Sequence, residues 1–204
     1  KKTHILFLSL LFVFSISVQL SAQWVEQTSG VTGALQSISA VDNNVCWIGG
    51  AAGVVLRTTN GGTNWTNVGG GAIGTANAIY TIYAWDANNA ICSTSPATGA
   101  FVFRTTDAGA TWVQVFTQTG GFLNAIWMTS ATNGFMCGDP VGGRWSFVRT
   151  TDSGVTWDST GLFVPQAGTE AGWNNALYMA GSNIYVGTNN TRVYYSSNNG
   201  VSWA

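Results

Sequence analysis

From residue 35 to residue 196, short apolar runs alternate with clusters of Gly, Asn, Asp and Ser. The runs fall into four groups of three: 35–41, 45–49 and 54–58; 78–84, 90–93 and 101–105; 123–129, 134–138 and 145–150; 176–180, 183–187 and 192–196. Each is rich in β-branched or aromatic residues and bounded by turn formers, the signature of a strand. A further strand is expected to open at Trp157. Nowhere in 23–204 do apolar positions recur with the period of a helix. The chain reads as all-β. Residues 1–22 stand apart: Lys1-Lys2, an apolar run from Ile5 to Val18, then small residues at Ser21-Ala22. That order is an export signal peptide with its cleavage site, and the run is short of the ~20 residues of a membrane span.

The groups are copies of one another. RTTNGGTNW (57–65), RTTDAGATW (104–112), RTTDSGVTW (149–157) and YSSNNGVSW (195–203) align without gaps, and their tryptophans Trp65, Trp112, Trp157 and Trp203 are 47, 45 and 46 positions apart. A period in the mid-forties is that of a four-stranded propeller blade. The copied segment has the chemistry of a tight turn between strands. Asn60, Asp107, Asp152 and Asn198 offer acceptors to backbone N–H groups two or three residues on. Thr58, Thr105, Thr150 and Ser196 can bond across the turn, and Gly62, Gly109, Gly154 and Gly200 sit where φ is expected to be positive. Each closing Trp is expected to fill the gap between neighbouring sheets.

Ser/Thr-x-Asp-x-Gly-x-Thr-Trp resembles the Asp-box, or bacterial neuraminidase repeat. With the preceding Arg-Thr-Thr it is most similar to the repeats of photosystem II assembly-factor-like propellers, found in many exported bacterial proteins. The likeness covers 24–203; it departs at Asn60 and Asn198 (Asn for Asp) and at Asn64, where Thr is usual. It implies a β-propeller of four-stranded blades with Asp-box hairpins and about four blades present. Rings in these families have six to eight blades or more. Trp24 reads as the fourth strand of a blade closed from the C-terminus, a role that Trp203 also claims, so 23–204 is expected to be the front part of a longer ring.

Composition narrows the function. Only 7% of residues are charged, against a usual ~25%. Five arginines and two lysines, both lysines in the signal, make no stripe for a phosphate backbone, so nucleic acid is excluded. Arg57, Arg104 and Arg149 suggest the arginine triad of a sialidase. They are locked to the repeat at the end of the third strand, however, and fan around a ring instead of converging. Cys46, Cys92 and Cys137, 46 and 45 apart, are expected at one second-strand position in three blades, as core thiols too far apart to bridge. His4 in the signal is the lone histidine, so no metal and no cofactor is expected.

A ligand site is expected on the face formed by the loops between second and third strands and between blades. Two stand out there. GDPVGGR (138–144) brings Asp139 and Arg144 together in a Gly-rich loop, and the long linker 158–173 carries Glu170 and Trp173. Trp173 or Phe122 would be a stacking platform for sugar rings; alternatively, Asp139 pairs with Arg144 and Glu170 only orders the linker. The expected function is an exported scaffold, secreted or in the cell envelope, that binds a protein or glycan partner without chemistry of its own. The alternative is an Asp-box glycoside hydrolase, xyloglucanase-like or sialidase-like, recognisable by two carboxylates roughly 5–10 Å apart in one cleft.

Overall fold

The computed structural model describes residues 24–204, and the segment 1–22, expected to be an export signal, lies outside the described residues. Fourteen strands form four antiparallel meanders, here called blades. Blade 1 holds β1 (Leu35–Ala40), β2 (Cys46–Gly50), β3 (Val55–Thr58) and β4 (Thr66–Asn67). Blade 2 holds β5 (Ile79–Ala84), β6 (Ala90–Thr94), β7 (Gly99–Thr105) and β8 (Val113–Thr119). Blade 3 holds β9 (Leu123–Met128), β10 (Gly134–Val141) and β11 (Arg144–Thr150); blade 4 holds β12 (Gly172–Ala180), β13 (Asn183–Thr188) and β14 (Val193–Ser196). A single turn of 3-10 helix, Gly71–Ile73, is the only helix among the described residues, and none is long and apolar enough to cross a membrane.

Blades 1 and 2 have four strands and blades 3 and 4 have three. The strand expected from Trp157 is reduced to two isolated bridges, Arg149 with Asp158 and Arg144 with Pro165. The turn at Thr160–Gly161 and the missing N–H of Pro165 interrupt the ladder between them. In blade 4, Ala204 exchanges both main-chain bonds with Tyr195. Trp24 takes no strand position and is 99% exposed.

The innermost strands pack in sequence, β1 on β5, β5 on β9 and β9 on β12. The apolar core lies between blades, in three clusters. Each repeated Trp after the first packs back on the preceding blade. Trp112 meets Trp47 edge-on at 6.3 Å, Trp157 joins Ile91 and Val102, and Trp203 stacks on Phe147 at 4.6 Å. Burying an aromatic ring in this way is worth on the order of a few kcal/mol.

The four repeated turns share one hydrogen-bond pattern. The hydroxyl of Thr58, Thr105, Thr150 or Ser196 donates to the Asx oxygen two residues on and accepts the glycine N–H four residues on, at 2.8–3.0 Å. The Asx oxygen reaches four residues ahead, to the N–H of Asn64, Thr111, Thr156 or Ser202. Two consecutive residues are left-handed, not one: φ is 67°, 63°, 63° and 56° at Gly61, Ala108, Ser153 and Asn199, ahead of the expected glycines. In the Asp turns a Thr hydroxyl adds a bond to the second oxygen, at 2.6 Å.

Thr156, through its hydroxyl and its N–H, draws the Asp152 carboxyl down from 3.8 to about 2. A group whose pKa is depressed on folding contributes stability above its unfolded value and loses it as pH falls through the folded one. Asp152→Ala removes the carboxylate that accepts these turn hydrogen bonds and is expected to cost about 1–2 kcal/mol at neutral pH. That difference should shrink between pH 4 and pH 2 in urea melts; a cost independent of pH would contradict the assignment.

The cysteines do not share a register. Cys46 opens β2 opposite Thr58, Cys92 is third in β6 opposite Phe103, and Cys137 is fourth in β10 opposite Phe147. The cause is the hairpin between second and third strands, which is longer in blades 2 and 3. Cys92 thus faces the core toward blade 1 and Cys137 the core toward blade 4. All three thiols are free, and burial pushes that of Cys137 up to about 12.

Candidate functional site

At the end of the strands away from the repeated turns, blades 3 and 4 enclose a cavity of about 430 Å³. Phe122, just before β9, and Asp139, on β10, line one side; Trp173, on β12, lines the other. Three residues expected from sequence thus meet in one place. Trp173 is 68% exposed, and Phe122 is braced by Tyr80 at 4.8 Å between ring centres. Trp173 and Asn174 both line the cavity although they are consecutive. A regular strand would point them to opposite faces. Here β12 carries a register shift between Gly172 and Leu177, with Asn175 left-handed at φ 62°, and the bulge re-aims them.

Asp139 Oδ1 accepts the Gly172 N–H at 2.7 Å, which ties β10 to β12 across the blade gap. Asn124 was not singled out by sequence. Its side chain is buried, its Oδ1 has no hydrogen-bond partner, and it lies against Gly172. A Cβ on Gly172 would fall 2.2 Å from that oxygen, so only glycine leaves the amide its place. With Asn174 and Asn189 the lining is rich in amides and holds one carboxylate. Among the described residues no three His, Cys, Asp or Glu side chains gather as metal ligands would.

The other two expected residues lie elsewhere. GDPVGGR is not an open loop: β10 continues to Val141 and β11 begins at Arg144. Gly142 (φ 62°) and Gly143 (φ 79°) make a two-residue turn of the type that hairpin twist favours. Arg144 does not meet Asp139. It donates to Leu162 O at 3.3 Å and lies 5.4 Å from the Phe163 ring. Glu170 is 1% exposed beneath the linker, where its Oε1 accepts from Trp145 Nε1 (3.2 Å), Ala167 N (3.0 Å) and the Tyr194 hydroxyl. It orders the connection. Arg57 and Arg104 end at the opposite face, their guanidiniums 5.5 and 5.8 Å from the rings of Trp47 and Trp85. They do not converge.

No protein-family model matches the chain, and no curated protein matches it. Solved structures do. YCF48 bound to D1 peptide aligns with a TM-score of 0.51 at 15% identity, over 88% of this chain and 70% of that one. A GH74 enzyme of Niastella koreensis aligns at 0.58 and 19% identity, over 83% of this chain and 24% of the enzyme. The extracellular domain of a hybrid two-component system protein of B. thetaiotaomicron aligns at 0.59 and 13% identity, over 84% of this chain and 22% of that one. The chain thus spans about a quarter of the length of the last two. These likenesses concern the fold, and together with the four radial meanders they make this chain a β-propeller.

Proposed function

We propose that the protein is an exported propeller of Asp-box type that acts as a binding or assembly scaffold, and that it takes a protein or glycan partner in the cavity beside Trp173. One observation carries the reading. An exposed indole, a braced phenyl ring and a buried amide oxygen without a donor converge on one cavity. An unpaired buried acceptor is costly to keep, and a ligand N–H or O–H would relieve it. Trp173 offers a flat apolar face next to it, the pairing of stacking and directed hydrogen bonds that ligand sites use. YCF48, which shares the fold, has been solved with a D1 peptide bound, and this supports the protein-binding side of the reading. Hydrolysis of a glycosidic bond needs two carboxylates. Asp139 stands alone in the cavity, and Glu170 is spent on the linker.

The test is a calorimetric screen of the protein against xyloglucan oligosaccharides and a peptide array. Trp173→Ala is expected to weaken whichever ligand binds by about tenfold or more, roughly 1.4 kcal/mol, at an unchanged melting temperature. Release of reducing sugar would make the protein a glycoside hydrolase instead. Binding indifferent to Trp173 would remove the cavity from the account.

A further inference from the structure

The repeat provides an internal control. Three blade interfaces should be alike at the end where the repeated turns lie, and at two of them the arginine before the repeated turn crosses to a main-chain carbonyl of the next blade, in different turns. At the first, Arg57 Nε–H crosses to Ala87 O at 2.6 Å while Trp47 Nε1–H crosses to Asp86 O at 3.0 Å. Both acceptors are main-chain carbonyls in the five-residue turn between β5 and β6. At the second, Arg104 Nε–H crosses to Ser153 O at 2.8 Å in the repeated turn of blade 3.

The third interface is built differently. Arg149 stays on its own blade, donating to Thr160 O at 3.0 Å and standing 3.9 Å from Asp158. That ion pair is long and both partners are exposed, so it is weak. Phe135, at the register position of Trp47, has no N–H to send across, and neither has Ile91 at the second interface. The turn between β12 and β13 has two residues, Gly181 and Ser182, where blades 2 and 3 have five. The carbonyls that receive Arg57 therefore have no counterpart in blade 4. What remains is a groove of about 640 Å³, floored by Phe135 and Met179 and rimmed by Ser130, Arg149, Ser182 and Asn199. It is within the size range of ligand sites. Among the described residues, the side chains of Ser182 and Asn199 make no hydrogen bond.

We propose that this groove binds a turn-forming peptide segment of a partner protein, whose main-chain carbonyls take the place that the shortened blade-4 turn leaves open. The inference is independent of the Trp173 cavity, which lies at the other end of the strands. The interface is matched to such a guest. Donors line its rim, its floor is apolar, and the same chain fills the equivalent gap with its own turn at the first interface.

The probe is a cyclic peptide carrying residues 85–90, Trp-Asp-Ala-Asn-Asn-Ala, titrated into the protein with a fluorophore on the peptide. Binding is expected to fall about tenfold or more in Arg149→Ala. It should be lost in a variant carrying the five-residue turn 85–89 in place of Gly181-Ser182, and also in Ser182→Trp, an exposed position where folding is not at risk. Trp173→Ala is expected to leave it unchanged. No binding at millimolar peptide, or binding that survives both groove-filling variants, would overturn the proposal. So would self-association that the filled groove abolishes while the peptide does not compete, because the guest would then be a second copy of the chain.

Discussion

Glu170→Ala is expected to lower stability by about 2–4 kcal/mol. The removed carboxylate is the common acceptor for Trp145 Nε1, Ala167 N and the Tyr194 hydroxyl, and Trp145 itself is fully buried. Each donor left without a partner costs about 1–3 kcal/mol, less than additively because water can re-enter near the exposed Arg192. Burial pushes the Glu170 carboxyl up, but the hydrogen bonds from Tyr194, Ala167 and Trp145 and the charge of Arg192 together outweigh it. The net shift is downward from 4.5. Its contribution is thus fully present above about pH 4.5 and is lost as pH falls through the lowered value. Glu170→Gln keeps one acceptor oxygen and sets an amide against Arg192. It should fall between wild type and alanine and should flatten this acid limb. Urea melts of the three proteins from pH 7 to pH 3 decide the matter; a cost below about 1 kcal/mol for the alanine variant would mean that Glu170 is not what holds the linker.

Gly109→Ala is the second large effect, expected at about 2–4 kcal/mol. Its φ of 86° strains any side chain, and an added Cβ would stand 2.7 Å from Val68 Cβ and 3.1 Å from Val68 O. That carbonyl also receives Trp112 Nε1–H at 2.8 Å, so relieving the clash disturbs the indole that closes the first interface. Gly154→Ala should cost less. There the nearest atom is Ile91 Cδ1 at 2.9 Å, the end of a side chain that can turn. Gly120 has a φ of 68° and nothing within 4 Å. Its alanine variant isolates the backbone cost, about 1–2 kcal/mol. Thermal melts should rank the three in that order, and equal costs would mean that packing against the neighbouring blade is not tight at the turns.

Strand positions were legible to within a few residues because apolar runs and turn formers are both local signals. Register was not. Equal sequence spacing placed the three cysteines at one position, yet hairpins of unequal length move them to the first, third and fourth positions of their strands. The same cause misread 138–144 as a loop: two adjacent glycines can cap a long hairpin as readily as they loosen a short one. Phe122, Asp139 and Trp173 could be anticipated because all lie where strands end at one face. Glu170 looked like a surface acid because burial under a linker depends on residues far away, Trp145 and Tyr194. Asn124 left one faint mark, an amide inside the apolar run Leu-Asn-Ala-Ile-Trp-Met, which a search for polar residues within strands would have caught.

The hairpin between second and third strands varies in length at the end of the blades away from the repeated turns. From the second-strand residue that pairs with the repeated Thr or Ser to that Thr or Ser itself, the blades take 12, 15, 16 and 12 positions, while the turn that follows is invariant in its bonds. Insertions can therefore accumulate at the Gly142-Gly143 tip without moving Trp157 or the core behind it. The same residue count added inside the turn would carry the tryptophan out of its slot. A foreign epitope spliced between Gly142 and Gly143 would accordingly be displayed beside the Trp173 cavity on a frame that does not register its presence.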